Sequence, residues 1–349
     1  MITPWGFPDF DAHEALHFVT DEASGLKAVI AVHSTYLGPA AGGSRFWHYE
    51  NDADALTDAL RLSRGMSYKN AMAGLPLGGG KTVILAGKDK AKTPELLAAF
   101  GKAVDSLGGR YVTAEDVGMS VADMIEVARH TKYVAGLPVA EGQVGGDPGP
   151  HTALGVFLGL KAAVRRKLGK DSVKGLHIAL QGAGSVAGGV ARHAAAEGAR
   201  LSIADVDRER AENLAAITGA AVVDPDEIMT IEADVLSPCA LGAILTEQSI
   251  AALNVPIVAG GANNQLATPA DGDRLQARGI LYAPDYVINA GGIINVSTEY
   301  LGDGGPELVR SRIEAIPDRL DQIWTESESS GRNPAAVADA MAQRLIGRG

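Results

Sequence analysis

Apolar and polar positions alternate in a regular rhythm over residues 150–290. Short apolar runs predict strands, and the longer stretches between them predict helices. The predicted strands cover 176–180 and 200–204 and lie near Val235, Val258 and Ile280, and the predicted helices cover 152–168, 186–197 and 208–218. This βαβ rhythm is typical of a parallel sheet with helical crossovers.

Residues 1–140 also contain predicted strands, over 28–32, 83–85 and 111–114, and predicted helices, over 54–66, 93–107 and 121–130. The segment 145–150 holds two prolines and three glycines, which cannot continue a helix or a central strand. Two further helical stretches cover 306–326 and 334–346. We therefore predict an α/β protein with a domain over 1–148 and a doubly wound parallel-sheet domain over 149–331.

Composition narrows the classes of function. The chain has 349 residues, enough for two domains, and a net charge of −11, which argues against a nucleic-acid partner. Its single cysteine, Cys239, permits no intrachain disulfide and fits a reducing compartment. No secretory signal and no apolar stretch of bilayer length is present in the sequence. We expect a cytoplasmic protein with no membrane partner.

A glycine-rich turn in the second region has the spacing of a dinucleotide-binding fingerprint, Gly182-x-Gly184-x-x-Ala187. The first glycine permits a tight turn, the second leaves room for a pyrophosphate, and the alanine allows close packing of helix on strand. Backbone N–H groups of the helix start, at Ser185 and Val186, would face the phosphates.

An acidic residue lies where the next predicted strand ends. Asp205 follows Gly182 by 23 residues, close to the offset expected for a carboxylate that binds the ribose 2′-hydroxyl. Such a carboxylate repels a 2′-phosphate and favours NAD over NADP. Asp207 is a rival for this role, Arg208 could soften the discrimination, and Asp205 could instead cap the next helix.

Two lysines flank a second glycine-rich segment, 74–80, which we interpret as a loop. Lys69 lies in a mostly uncharged stretch, and Lys81 lies between three glycines and a predicted strand. A lysine in partly apolar surroundings near another cation has a lowered pKa and can act as a base, while a second lysine can hold a carboxylate. Asp116, at the end of the strand over 111–114, could be the acid–base partner.

Two other motifs are short matches to known sites. The run Gly-Gly-Gly-Lys-Thr lacks the first glycine of a P-loop at Leu75, and we reject that interpretation. The residues His13 and His17 match the zinc-peptidase pattern His-Glu-x-x-His, but no third ligand is evident. We interpret this match as chance in an amphipathic helix, and we expect no metal site.

Six segments, in order over nearly the whole chain, resemble the amino acid dehydrogenases of the glutamate/leucine/phenylalanine/valine dehydrogenase superfamily. The segments are Gly38-Pro39-Ala40-Ala41-Gly42-Gly43-Ser44-Arg45, Met66-Ser67-Tyr68-Lys69-Asn70, Gly78-Gly79-Gly80-Lys81-Thr82, Thr113-Ala114-Glu115-Asp116-Val117-Gly118, Ser237-Pro238-Cys239-Ala240-Leu241-Gly242 and Ala283-Pro284-Asp285-Tyr286-Val287-Ile288-Asn289-Ala290-Gly291-Gly292.

The resemblance implies NAD-dependent oxidative deamination of an L-amino acid to a 2-oxo acid and ammonium. It implies that Lys69 binds the substrate carboxylate, that Lys81 activates the attacking water, and that Asp116 transfers protons. It also implies an N-terminal substrate and oligomerisation domain, a Rossmann domain, a catalytic cleft between them, a final helix over about 332–349 that returns to the first domain, and a homo-oligomer.

The resemblance also assigns the remaining site residues. Those implied beside the substrate are Ala41, Gly42, Ala114, Asn264, Ile293 and Val296. Those implied beside NAD, in addition to the fingerprint and Asp205, are Thr152, Cys239, Ala240 and Asn263.

The identity of the amino acid depends on a few of these positions. Ala114 and the pair Asp147-Pro148 resemble leucine dehydrogenases, whereas Ala41 resembles phenylalanine dehydrogenases. We expect a branched-chain, leucine-like preference with tolerance for bulkier side chains, because small changes in an apolar pocket discriminate only weakly. The alternatives are an aromatic amino acid dehydrogenase, a catalytically inactive NAD-binding sensor and, on the histidine pair, a zinc peptidase.

Overall fold

The computed structural model describes residues 3–7, 9–88, 91–139 and 144–348. The chain forms two compact units. Unit 1 comprises Met1–Gly146, Val296–Pro306 and Ala342–Gly349, and unit 2 comprises Asp147–Asn295 and Glu307–Met341. Among the described residues, no helix combines the length and the apolar character that crossing a membrane requires.

Unit 1 is built on a mixed five-stranded sheet in the order β1-β2-β4-β3-β5. Its strands are β1 Ala15–Asp21, β2 Leu26–Ser34, β3 Ala40–Trp47, β4 Gly78–Leu85 and β5 Tyr111–Glu115, and its first helices are α1 Asp52–Met72, α2 Pro94–Asp105 and α3 Val121–Ala128. Strand β3 runs parallel to β4 and β5, whereas β2 runs antiparallel to β1 and β4.

Helices cover both faces of this sheet. On one face, Ala55 and Leu60 of α1 pack with Val29 and Val83 of the sheet. On the other, the buried side chains of α2 and α3 pack with those of β2 and β5, including Ile30, Phe100, Tyr111 and Met124. The two apolar clusters hold the central strand β4 away from solvent, so that Lys81 on this strand is 5% exposed.

The glycine run before Lys81 belongs to the strand, not to a loop as the sequence pattern predicted. Helix α1 lies so close to β4 that a β-carbon at Gly79 would be 2.0 Å from the backbone nitrogen of Ser67. The side-chain amide of Asn70 adds a 2.6 Å hydrogen bond to the carbonyl of Gly78. Close approach of helix and strand therefore outweighs the low strand propensity of glycine, and the absence of a phosphate-binding loop here agrees with rejecting the P-loop.

Unit 2 is built on a parallel sheet in the order β11-β10-β9-β6-β7-β8. Its strands are β6 His177–Gln181, β7 Arg200–Ala204, β8 Ala221–Val222, β9 Val235–Pro238, β10 Ile257–Val258 and β11 Leu281–Tyr282. The helices that follow α3 are α4 Gly149–Leu168, α5 Ser185–Ala196, α6 Arg208–Thr218, α7 Glu247–Ala252, α8 Ala270–Ala277, α9 Asp285–Ile288, α10 Gly291–Leu301, α11 Pro306–Glu314, α12 Ile316–Ser330 and α13 Pro334–Leu345.

This strand order is that of a doubly wound Rossmann sheet, with the order reversing between β6 and β9. The predicted fold class is confirmed. Helix α12 covers the sheet through Trp324, whose indole N–H donates a 2.9 Å hydrogen bond to the carbonyl of Tyr282. The carboxyl ends of β6 and β9 are adjacent, which creates the crevice that such sheets use for ligands.

The structure corrects three predicted elements. The stretch around His13 and His17 is not a helix, because β1 begins at Ala15 and pairs with β2. Helix α4 begins at Gly149 rather than Thr152, since a proline is tolerated in the first turn of a helix. The single helix predicted over 306–326 is two helices, with Ala315 between them.

Substituting Gly79 with alanine is expected to lower the free energy of unfolding by about 1–3 kcal/mol, because the new methyl group would overlap the α1 backbone. Urea unfolding followed by circular dichroism measures the effect. The control is Gly65→Ala on α1, where a β-carbon meets nothing within 4 Å; it is expected to raise stability by about 0.5–1 kcal/mol. Equal stability of the Gly79 variant and the wild type would contradict the close-approach explanation.

Candidate active site

Unit 1 brings a buried lysine and an aspartate together. Lys81 lies in β4, and Asp116 follows directly after the last residue of β5. The Lys81 Nζ and Asp116 Oδ2 atoms are 2.8 Å apart, and the lysine side chain is 6% exposed whereas that of the aspartate is 23% exposed. The pair is therefore a charge-assisted hydrogen bond whose acidic member reaches solvent.

Two further charged residues, Arg45 and Asp58, lie next to the pair, and the sequence alone indicated no role for either. Arg45 of β3 donates from Nε to Asp116 Oδ2 over 3.0 Å and from NH1 to Asp58 Oδ2 of α1 over 2.8 Å. The Tyr49 hydroxyl donates a 2.7 Å hydrogen bond to the same Asp58 oxygen. Arg45 lies in one of the six segments that carry the family resemblance, and this position could have identified it as a site residue. Asp58 lies in none of these segments.

The surroundings shift both pKa values downward. Burial lowers the pKa of Lys81 below 10.5, although the charge of Asp116 opposes this shift. For Asp116, burial opposes ionisation, but the charges of Lys81 and then Arg45 hold its pKa below 3.8. An ionised carboxylate thus lies next to an amine that releases its proton more readily than an ordinary lysine.

Lys69 lies in the last turn of α1, the helix that packs against β4. Its side chain is half-buried, and the residues on either side of it in the chain, Tyr68 and Asn70, are buried. The two lysines singled out from the sequence therefore belong to adjoining elements of unit 1.

Small residues form the neighbouring part of the sheet. Ala41 of β3 lies in register with Gly79 of β4 and Val112 of β5. A β-carbon at Gly42 would be 1.8 Å from the Gly80 carbonyl oxygen, so this position accepts only glycine. Ala114 is half-buried and pairs with Gly43 in the same sheet.

The two predicted pocket residues of α10 fall in different units. Val296 belongs to unit 1, where a β-carbon at Gly136 would be 3.7 Å from its Cγ1 atom. Ile293 belongs to unit 2 and is half-buried. The predicted cleft between the two domains stays a prediction.

In unit 2, the glycine fingerprint lies at the crevice of the sheet. It follows β6 and opens α5, and Gly182 has a φ of +103°, which an L side chain rarely adopts. A β-carbon at Gly184 would meet nothing within 4 Å, and no side chain caps the start of α5. Open space and uncapped N–H groups fit the pyrophosphate of a dinucleotide.

The two aspartates after β7 have different roles in the structure. Asp205 accepts hydrogen bonds from the backbone nitrogens of Ala183, at 2.7 Å, and Asp207, at 2.9 Å. The N-cap of α6 is Asp207, whose side chain accepts from the nitrogen of Arg210. The helix-capping alternative for Asp205 is therefore wrong, and its carboxylate lies against the glycine turn.

The other predicted cofactor residues lie around the same crevice. Cys239 follows β9 next to Ala240, and its N–H donates a 2.8 Å hydrogen bond to the carbonyl of Gln181. Asn263 and Asn264 are both exposed, and Asn264 adopts a φ of +52°.

Two more residues complete this part of unit 2. Thr152 donates its hydroxyl to the Pro148 carbonyl in the first turn of α4. Asn289, for which the sequence alone indicated no role, donates from Nδ2 to Asn263 Oδ1 over 2.7 Å. Its Oδ1 atom is buried without a hydrogen-bond partner among the described residues, which fits a ligand that supplies a donor.

The histidine pair lacks the geometry of the zinc-peptidase motif. His17 lies on β1 and His13 just before it, so these residues lack the helical spacing that places both imidazoles on one metal ion. The Nε2 atom of His13 is 3.0 Å from both the Leu60 carbonyl oxygen and the Ser63 hydroxyl. Across the described part of the chain, no group of three or more histidine, cysteine, aspartate or glutamate residues is placed to hold a metal ion.

Comparisons with known proteins show which family the chain is similar to. The family model described as "Glu/Leu/Phe/Val dehydrogenase, dimerisation domain" matches residues 13–133, and the model described as "Glutamate/Leucine/Phenylalanine/Valine dehydrogenase" matches residues 201–343. These matches include the Lys81–Asp116 pair and most of the sheet of unit 2.

Three relatives illustrate the range of the similarity. Leucine dehydrogenase of Bacillus subtilis is 46% identical over 96% of this chain and 92% of its own length. Valine dehydrogenase of Streptomyces albus is 44% identical over 97% of this chain and 93% of its own length. The crystal structure of L-tryptophan dehydrogenase from Nostoc punctiforme has a TM-score of 0.86 and 42% identity, with 96% of each chain covered. The chain therefore belongs to the glutamate/leucine/phenylalanine/valine dehydrogenase family and is an oxidoreductase, an amino acid dehydrogenase.

Proposed function

We propose that this protein catalyses the reversible, NAD-dependent oxidative deamination of an L-amino acid to a 2-oxo acid and ammonium. The observation that carries the proposal is the buried Lys81 ammonium 2.8 Å from the Asp116 carboxylate, with Lys69 on the adjoining helix. A lysine with a lowered pKa beside an ionised aspartate supplies the base and the proton carrier that this reaction requires.

The residues of unit 1 divide the chemistry between them. The ammonium of Lys69 binds the substrate carboxylate and fixes the orientation of the α-carbon. NAD, held at Gly182 and Gly184, would supply the acceptor for the hydride of this carbon, and loss of the hydride converts the amino acid to an imino acid. Neutral Lys81 takes a proton from the attacking water. The Asp116 carboxylate accepts this proton from the Lys81 ammonium 2.8 Å away and passes it to the departing nitrogen. The amino acid and water thus yield the 2-oxo acid, ammonium and one proton besides the transferred hydride.

Arg45 keeps Asp116, the proton carrier, in its ionised form. Its 3.0 Å hydrogen bond to Asp116 favours the ionised carboxylate even when Lys81 is neutral. Asp58 in turn binds Arg45, so the cation is fixed from a second side. These two residues are positioning residues in the proposed reaction.

The pH dependence of the reaction tests the pair. Because the neutral amine of Lys81 is the base, kcat/KM is expected to rise with pH through a midpoint below 10.5. Asp116→Asn removes the charge that favours the ammonium, so the midpoint should move to lower pH. The maximal rate should fall about 10²- to 10⁴-fold, because the proton carrier is lost. Initial rates at 340 nm across pH measure both effects.

Asp58→Asn is the matched control. It also removes one negative charge, but from a residue that is bonded to Arg45 rather than to Lys81, and it keeps Asp116. It is expected to retain most of the maximal rate and to shift the midpoint less. An unchanged midpoint in Asp116→Asn would contradict the proposed base. Wild-type protein that binds NAD but oxidises no amino acid would instead favour the inactive sensor.

NAD is the proposed cofactor, rather than NADP, because the Asp205 carboxylate lies beside the glycine turn where a 2′-phosphate would meet its charge. Two backbone N–H groups already hold this carboxylate in place. An ionised group fixed in this way accepts from a ribose hydroxyl and repels a phosphate.

Asp205→Asn is expected to raise kcat/KM with NADP relative to NAD by about tenfold, a change of ~1.4 kcal/mol, because the variant no longer repels the 2′-phosphate. Steady-state kinetics with both cofactors measure the ratio. Asp207→Asn removes the same charge and retains a good N-cap for α6; its ratio should stay at the wild-type value. Equal changes in both variants would indicate a general effect of net charge.

We infer a branched-chain, leucine-like substrate. Similarity to leucine and valine dehydrogenases over nearly the whole chain supports this choice. The aromatic alternative is supported by the similarity to an L-tryptophan dehydrogenase and by Ala41, which is small and 6% exposed beside Gly79.

A substrate panel separates the two alternatives. We expect kcat/KM to be highest for L-leucine or L-valine and measurable but lower for L-phenylalanine and L-tryptophan. Ala41→Leu should reduce activity on the aromatic substrates by a further ~10- to 200-fold, because the larger side chain fills space that they need. A clear preference of the wild type for an aromatic substrate would overturn the branched-chain assignment.

A homo-oligomer in the cytoplasm is the proposed state of the protein. The description of the matching N-terminal family model as a dimerisation domain supports the first part. The single cysteine of the chain, Cys239, supports a reducing compartment.

A further inference from the structure

A buried histidine lies behind the two lysines of unit 1. The register of β2 against β4 shifts between Val32 and Ser34, which makes His33 the residue at a β-bulge. Bulges re-aim a side chain out of the regular alternation of a strand. The His33 side chain is fully buried and points to α1, where its Nδ1 atom is 2.7 Å from the Ser67 hydroxyl.

Two side chains reach the Nε2 atom of this histidine. The NH1 group of Arg348, which can only donate, is 2.7 Å away, and the Asp11 carboxylate, which can only accept, is 3.2 Å away. Because the guanidinium contact is the shorter, we assign Nε2 as the acceptor and Nδ1–H as the donor to Ser67. Burial, followed by the charge of Arg348, lowers the pKa of His33 to about 3, so the ring is neutral under ordinary conditions.

The guanidinium of Arg348 is itself held on several sides. It donates to the backbone carbonyls of Asp11, Ala12 and His33 over 2.6, 2.9 and 2.7 Å. The Asp11 carboxylate is 3.8 Å from NH1 and also accepts from the Tyr68 hydroxyl over 3.4 Å. These contacts make Arg348 a fixed member of unit 1 rather than a mobile surface residue.

The contacts that run from Arg348 through His33 to Ser67 end next to Lys69, the lysine proposed to bind the substrate carboxylate. Ser67 and Tyr68 directly precede Lys69 on α1, and Ser67 lies against Gly79, two residues before Lys81 on β4. A second contact from the same C-terminal segment joins the Gln343 amide to the Tyr68 hydroxyl over 3.0 Å. The segment 343–348 therefore contacts Tyr68 of α1 directly and reaches its neighbour Ser67 through His33.

We propose that Arg348, acting through His33 and Ser67, is a positioning residue that sets the place of Lys69, so that the C-terminal segment controls how tightly the substrate carboxylate binds. This inference rests on the proposed function. Lys69 contacts the substrate before and during the reaction, so its displacement weakens binding more than it slows the chemical steps.

The experiment compares Arg348→Ala and Arg348→Lys with the wild type. Arg348→Ala is expected to raise the KM for the amino acid about tenfold or more, since a displacement of the order of 1 Å can cost up to about 10²-fold. The kcat and the KM for NAD should change less than about threefold, because the fingerprint residues of unit 2 are untouched. Arg348→Lys keeps a donor to His33 and should restore part of the lost affinity.

Two further variants keep the test decisive. Ser67→Ala removes the last acceptor of the network while fitting the space beside Gly79, and it should raise the KM in the same direction. The double variant with Arg348→Ala should be no worse than Arg348→Ala alone, because both changes break one path. Arg344→Ala, which removes the same charge from an exposed position of the segment, is the control and should leave the KM unchanged.

The outcomes separate the two proposals. If the wild type oxidises no amino acid, the proposed function fails. If the wild type is active and neither Arg348→Lys nor Ser67→Ala alters the KM for the amino acid, the positioning role is overturned, even where Arg348→Ala does not fold. A rise in the KM for NAD equal to that for the amino acid would also overturn it, because it would indicate general loosening.

Discussion

The distance between α1 and β4 is the constraint on which unit 1 depends. At Gly79 the backbone of the helix occupies the space that a side chain would need, whereas at Gly78 and Gly80 this space is taken by the Ser34 backbone and the Tyr111 ring. The helix thereby covers the centre of the sheet and removes Lys81 from solvent. The same approach places the last turn of α1, with Lys69, over the strand that carries the other lysine. The run of glycines therefore permits both the burial of Lys81 and the placement of Lys69 on the helix turn that packs on the same strand.

Burying Lys81 would be unfavourable without a partner, and the partner determines what the lysine can do. Asp116 supplies a charge at 2.8 Å, which offsets part of the cost of desolvation and leaves the amine with a lowered pKa. Arg45 then keeps the aspartate ionised. Stability and reactivity are coupled in this way, since the residues that make the buried amine tolerable also tune its proton affinity.

The sequence predicted the features that depend on local spacing. The glycine turn of unit 2, the acid after β7 and the βαβ rhythm each require only neighbouring residues, and the structure has them where the pattern predicted them. Local propensity failed where tertiary contacts decide: the glycines before Lys81 form a strand because other residues pack closely against each of them, with Ser34 at Gly78, α1 at Gly79 and Tyr111 at Gly80. Asp58 and His33 could not be recognised, since their partners lie 13 to 315 residues away. Lys81 and Asp116 were found because their residue types suggested the chemistry before any contact was known.

The burial of the four charged side chains at and around Lys81 limits how strongly the salt concentration affects them. The side chains of Lys81, Arg45, Asp116 and Asp58 are between 6% and 23% exposed, and together they carry two positive and two negative charges. Dissolved ions screen charges on a surface within about 10 Å at 0.1 M salt, but they reach partly buried pairs far less. The electrostatic balance around Lys81 is therefore set by the protein itself and stays nearly constant when the ionic strength of the surroundings changes.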